Sequence, residues 1–86
     1  MEKEIKLYGS IKCHKTKYYI SELEKYNLNF RFLDVVENEE YAEELRSLYL
    51  TGRLNFPTIM LGDKKLRNPK DGELKKWLLK KGYIKE

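Results

Sequence analysis

Eighty-six residues, 41% of them hydrophobic and with a formal net charge of +4, describe a single domain, residues 1–86, with a modest core. Lys or Glu interrupts every apolar window, which leaves no room for a signal peptide or a membrane span, and a soluble, cytoplasmic protein is expected. The lone cysteine excludes an internal disulfide and any zinc site built from cysteine pairs.

In chain order, Ile5 and Leu7 alternate with Lys6 as a short strand through Tyr8, and Gly9-Ser10 breaks it. From Lys17 to Tyr26, the residues Tyr19, Leu23 and Tyr26 recur at i, i+4 and i+7 with Ile20 alongside, one face of a helix. Asn27 stops it, because Asn tolerates the left-handed conformation. Leu28, Phe30 and Phe32 then alternate with Asn29 and Arg31, and Leu33 ends this second strand. Two strands joined by one helix of this length form a right-handed unit with parallel strands.

Glu37-Asn38-Glu39-Glu40 suits a helix start better than a metal site, with Asn38 as the cap. Ala42, Leu45, Leu48 and Tyr49 form the apolar stripe, and Thr51-Gly52 ends the helix. Pro57 opens a third strand, Thr58 to Leu61. The two-residue turn Gly62-Asp63 folds it onto a fourth, Lys64 to Leu66. Asn68 and Pro69 are the expected cap and first residue of a last helix, whose stripe is Leu74, Trp77 and Leu78 and whose end is Gly82. The order β-α-β-α-β-β-α predicts an α/β sandwich: a parallel pair extended by an antiparallel hairpin, with helices on the sheet faces.

Cys13 therefore falls in a strand-to-helix turn, at or just before the first helical residue. Unpaired N–H groups and the helix dipole favour negative charge there, and Lys12 and Lys15 add to it, so the thiol is biased toward thiolate. Thr16, three residues on, can turn its hydroxyl back to the sulfur. His14 can add positive charge or act as a base, although adjacent side chains at a helix start need not face each other. The competing account is a small buried apolar cysteine. The basic excess, 18 Lys plus Arg against 14 Asp plus Glu, reads as solvated surface. The seven tyrosines do not alternate with basic residues as an RNA-binding sheet requires, so a nucleic-acid partner is not expected.

Tyr8-Gly9-Ser10-Ile11-Lys12-Cys13-His14-Lys15-Thr16 resembles the active-site turn of the glutaredoxin family. Phe56-Pro57-Thr58-Ile59-Met60 is similar to its cis-proline segment, and Arg67-Asn68-Pro69-Lys70-Asp71 aligns with its glycine-pair and aspartate segment before the last helix. The resemblance implies a thioredoxin-like, three-layer β-α-β-α-β-β-α sandwich with a four-stranded mixed sheet. It implies Cys13 as nucleophile, a cis Phe56–Pro57 bond, and thiol binding at Phe56, Pro57, Lys70 and Asp71. Thr16 stands where dithiol members carry a resolving cysteine. The motif is thus C-x-x-T, and only mixed disulfides with external thiols are available. Pro69 lacks an N–H that the family offers to glutathione, Asp71 keeps the place that meets its ammonium, and the Lys70 N–H remains. Glutathione or another low-molecular-weight thiol is the implied co-substrate and should bind weakly if it is glutathione. No tightly bound cofactor, metal or iron–sulfur cluster is expected. The implied partners are disulfide-containing proteins or small thiols, acting on a monomer. A different class stays open: a non-catalytic module binding a peptide on an apolar shelf of Tyr8, Phe56 and Pro57 beside Cys13.

Overall fold

Alternation along the first strand splits the molecule into two cores. The computed structural model describes residues 4–85, with β1 (Ile5–Gly9), α1 (His14–Lys25), β2 (Arg31–Asp34), α2 (Glu39–Arg46), β3 (Thr58–Leu61), β4 (Lys64–Arg67) and α3 (Asp71–Lys80). Ile5 and Leu7 point to one face, where Ile59, Leu61 and Leu66 join them beneath Tyr19 and Leu23 of α1 and Leu74 and Leu78 of α3. Tyr8 points to the other face and packs with Leu33, Val35, Ala42 and Leu45 beneath α2. The sheet order is β2-β1-β3-β4, with β1 and β2 parallel and the other pairs antiparallel. This is the three-layer sandwich with a mixed sheet that the element order and the resemblance implied.

The boundaries differ from the sequence expectation where tertiary contacts intervene. The parallel ladder begins at Lys6↔Arg31, so Leu28 and Phe30 pack against the first core without joining the sheet. The second helix stops at Arg46 rather than Thr51-Gly52. Its continuation tightens into turns, with the Leu48 N–H on the Leu45 carbonyl and the Tyr49 N–H on the Arg46 carbonyl. These turns place Tyr49 where its hydroxyl lies 2.8 Å from Thr58 Oγ1. Asn38 caps this helix as its sequence position suggests, accepting from the N–H groups of Glu40 and Tyr41. Asn27 takes the left-handed conformation after α1, with φ 58°.

The last helix starts later than expected. Its cap is Lys70, with no side-chain capping bond, and Asp71 is the first helical residue. Asn68 does not cap; it sits at φ 49°, a left-handed backbone that Asn adopts at less cost than most residues. Its N–H instead donates to the Pro57 carbonyl at 3.0 Å. Among the described residues, no helix is long and apolar enough to cross a membrane.

Candidate active site

Four connections meet at one end of the sheet. β1 runs off its end into the turn Ser10–Cys13, and β2 ends beside it, with the Val35 N–H on the Gly9 carbonyl at 2.9 Å. Continuing the antiparallel register beyond Tyr8↔Thr58 puts Pro57 next to Gly9. Continuing it beyond Thr58↔Arg67 puts Pro57 next to Asn68. The Phe56–Pro57 bond is cis, as the resemblance implied. The thiol turn, the proline segment and the loop into α3 are thereby neighbours, although about 40 residues separate the first two.

Cys13 is the N-cap residue of α1 and is partly exposed. Its N–H donates to the Ser10 carbonyl at 2.9 Å and its carbonyl accepts from the Lys17 N–H at 3.1 Å, so the turn closes directly into the helix. Thr16 is fully buried, at 0% exposure. Its hydroxyl accepts from the Ser10 N–H at 3.2 Å and favours the ionised form of the Cys13 thiol. Burial is the largest influence on the thiol and opposes ionisation. It is outweighed by the Thr16 hydroxyl, the N–H groups of Thr16 and Lys15, and the Lys15 ammonium, so the Cys13 pKa lies below that of an ordinary thiol. This is the pattern in which hydrogen bonds to the charged form overcome desolvation.

Close packing holds Thr16 in place. A Cβ on Gly9 would sit 2.4 Å from Thr16 Oγ1 and 2.6 Å from its Cγ2, so the absence of a side chain at Gly9 is what lets the threonine enter. Asp34 braces the other side of the turn. Its carboxylate accepts from the N–H groups of Ile11, Val36 and Glu37 at 3.2, 2.9 and 3.0 Å. Burial would raise the Asp34 pKa, but the N–H groups of Glu37, Ile11 and Val36 and the charge of Lys12 bring it below the usual value. Lys12 thus lends its charge to Asp34, whereas Lys15 is the lysine that acts on the sulfur.

An open groove of about 480 Å³ lies beside the thiol turn. His14, Lys15 and Tyr18 form its α1 wall, and Pro69, Lys70 and Asp71 its α3 wall. Two phenols cross it. The Tyr18 hydroxyl donates to the Asp71 carboxylate, and the Tyr19 hydroxyl donates to the Pro69 carbonyl. His14, Lys15, Lys70 and Asp71 are therefore brought together around one concavity, whose α1 wall begins one residue after Cys13; Cys13 itself does not line it.

Tyr8 is not part of this constellation, which corrects its expected supporting role. One pleat turns it to the α2 face, where it is 1% exposed. There its hydroxyl donates to Glu44, which also takes the Lys6 ammonium at 3.3 Å. Phe56 is half-buried against that same second core and Pro57 is buried, so the anticipated shelf of Tyr8, Phe56 and Pro57 does not form. Exposed apolar surface near the thiol comes instead from Ile11, 48% exposed, and Val36, 56% exposed, whose N–H groups share the Asp34 carboxylate. Sequence reasoning passed over Asp34, Gly9 and Tyr18. An aspartate ending a strand just before a turn is the one signal that could have been read, since such side chains bond their own backbone two residues on.

The fold has known counterparts. The glutaredoxin (grx-1) from Archaeoglobus fulgidus superposes with a TM-score of 0.73 at 21% identity, covering 87% of this chain and 85% of that one. A mutant of the thioredoxin-like protein BC3987 superposes with a TM-score of 0.72 at 20% identity, covering 91% and 96%. No curated protein matches the chain. The family model described as Glutaredoxin matches residues 5–66, from β1 through the cysteine turn and the cis-proline to β4. The chain belongs to the glutaredoxin family.

Proposed function

We propose that this chain is a monothiol thiol–disulfide oxidoreductase with Cys13 as its nucleophile. Family membership supports the thiol–disulfide oxidoreductase class; the single-cysteine mechanism rests on the site. The observation that carries it is the Thr16 hydroxyl, anchored on the Ser10 N–H three residues from Cys13 and favouring its thiolate. It occupies the resolving position with a group that stabilises a thiolate and cannot itself form a disulfide.

The cycle balances with external thiols alone. The Cys13 thiolate attacks one sulfur of R–S–S–R′, the S–S bond breaks, Cys13–S–S–R forms, and R′S⁻ leaves and takes a proton from water. A second thiol, as R″S⁻, then attacks the R sulfur, giving R–S–S–R″ and returning the Cys13 thiolate. The net change is exchange of R″SH for R′SH, with two electrons passing between sulfur atoms. In this cycle Lys15 stabilises the thiolate, and the groove of His14, Lys70 and Asp71 receives the R group. A thiol-rich, reducing compartment such as the cytoplasm suits this chemistry, and a monomer suffices for it.

Incubation with hydroxyethyl disulfide followed by mass spectrometry tests the reading. A mixed disulfide on Cys13 that forms faster than on a free cysteine at pH 7 supports it, and a thiol inert over hours overturns it. A protein-binding module is favoured by one observation, the exposed Ile11 and Val36 flanking the turn. That reading predicts an inert thiol and peptide binding that Ile11→Ser weakens.

A further inference from the structure

The two edges of the sheet differ in what they leave unpaired. β2 closes one edge, and its charges are engaged: Arg31 lies 3.6 Å from the Glu4 carboxylate, and Asp34 accepts three backbone N–H groups. β4 closes the other edge. There the Asn68 N–H donates to the Pro57 carbonyl, which makes these two a hydrogen-bonded pair of the antiparallel ladder. Alternation along that ladder bonds Leu66 and Lys64 to β3 and turns the N–H and C=O groups of Lys65 and Arg67 outward. Among the described residues these outward groups have no backbone partner, which leaves a row open to a further strand.

The same strand carries cations on both faces. On the α2 face the Lys65 ammonium sits 4.1 Å from the Tyr49 ring centroid and donates to the Leu48 carbonyl. Arg67, two residues on, shares that face, and a groove of about 470 Å³ runs beside the pair with Leu50 and Arg53 on its wall. On the α3 face the Lys64 ammonium sits 4.1 Å from the Trp77 ring centroid, with that of Lys80 at 5.0 Å. Among the described residues, none of Arg53, Lys64, Lys65, Arg67 and Lys80 forms an ion pair. The carboxylate of the adjoining hairpin turn, Asp63, is taken by Lys81.

We propose that the β4 edge docks an extended acidic segment of a partner protein, which joins the sheet as a further strand along Lys65 and Arg67. The backbone of the segment fills the outward N–H and C=O groups, and acidic side chains at alternate positions meet Lys65 and Arg67 on one face. The residue between them faces Lys64 and Trp77. A second copy of this chain is refused, because its own β4 carries the same charges. A nucleic acid is disfavoured: it offers no backbone amides to the edge, and the flanking rings that would stack bases are covered by ammonium groups. Docking needs no chemistry at Cys13, so it stands or falls apart from the nucleophile.

The test is fluorescence anisotropy with a labelled peptide of alternating glutamate and valine, followed by hydrogen exchange of the complex. The controls are the same residues with the glutamates made contiguous, the lysine counterpart, and a single-stranded oligodeoxynucleotide. The alternating acidic peptide should bind saturably and slow exchange at the Lys65 and Arg67 amides. The contiguous peptide should bind several-fold more weakly, and the lysine peptide and the oligonucleotide should not bind. Methylating the peptide's glutamate nitrogens or its valine nitrogens should abolish binding in one case only, because alternate amides face β4. Lys65→Gln with Arg67→Gln should weaken binding by roughly five- to tenfold, the effect of two exposed ion pairs. Lys25→Gln with Arg31→Gln, on α1 and the opposite edge strand, removes equal charge and should change it by less than about twofold. Circular dichroism checks that each variant is folded. Equal binding of the alternating and contiguous peptides, equal loss with the distal pair, or unprotected Lys65 and Arg67 amides would each overturn the docked strand. Binding of the oligonucleotide in place of the peptide would overturn it in favour of a nucleic-acid surface.

Discussion

The two helix starts that face each other across the groove are held in opposite ways. The start of α1 is braced mainly from within its own neighbourhood: Ser10 and Cys13 bond each other, Thr16 reaches back six residues to the Ser10 N–H, and Gly9 yields the space, with Asp34 of β2 added on the Ile11 N–H. The start of α3 is uncapped and is held by phenols from the other helix, Tyr18 on Asp71 and Tyr19 on Pro69, 53 and 50 residues away in the chain. A turn braced locally keeps its geometry whatever docks beside it, which suits a reacting atom. A turn held by side chains from elsewhere can present different groups when those side chains change, which suits the binding wall. Mutating each brace separately is the way to sharpen that contrast.

The largest effect belongs to the sulfur itself. Cys13→Ser should abolish disulfide exchange while leaving the circular-dichroism spectrum and the unfolding midpoint close to wild type; retained turnover would contradict the assignment. Next comes Gly9→Ala. Gly9 lies in the central strand β1, whose backbone is paired to β2 and continues beside Pro57, so neither it nor the buried threonine can yield easily. Overpacking there should cost about 3 kcal/mol in a urea titration. An unchanged midpoint would mean that the two residues are not in contact.

Thr16→Val keeps the volume and removes the hydroxyl. The buried Ser10 N–H then lacks its acceptor, at a cost of about 1–2 kcal/mol, and the thiolate loses a group that favours it. The pH midpoint of iodoacetamide alkylation, depressed in the wild type, should move up toward or beyond that of an ordinary thiol. A midpoint that stays put would transfer the stabilisation to the N–H groups and Lys15. The smallest effect is expected at Asp34. Its folded pKa is depressed, so its contribution to stability is complete above about pH 5, one unit over the unfolded carboxyl near 4, and is lost as pH falls through the folded value. Asp34→Asn should flatten the decline in unfolding midpoint between about pH 5 and pH 3. An unaltered slope would show that this carboxylate does not brace the turn in solution.

The same contrast explains what could be read from the chain. The element order, the hairpin at Gly62-Asp63, the Asn38 cap and the position of Cys13 at a helix start are all local properties. Each depends on residues within about one turn or one strand, and the periods of two and of 3.6 carry that information directly. The Thr16 contact belongs to this class, because a spacing of three on a helix brings the side chain back to its start. Asn68 shows the limit of such reasoning. Its residue type suits a cap equally well as a left-handed bend, and the Pro57 carbonyl, eleven positions away, selects the bend.

By itself, then, the sequence determined the sandwich, the turn and the presence of one thiol poised at a positive helix end. Tertiary structure alone decided which side of the sheet Tyr8 serves, that Asp34 clamps the thiol turn, and that Tyr18 donates to the Asp71 carboxylate across the groove. Local pattern specifies which face a residue shares with its neighbours in one element. It does not specify which side chain of a distant element will meet it, because that pairing exists only once the sheet register and the helix packing have closed.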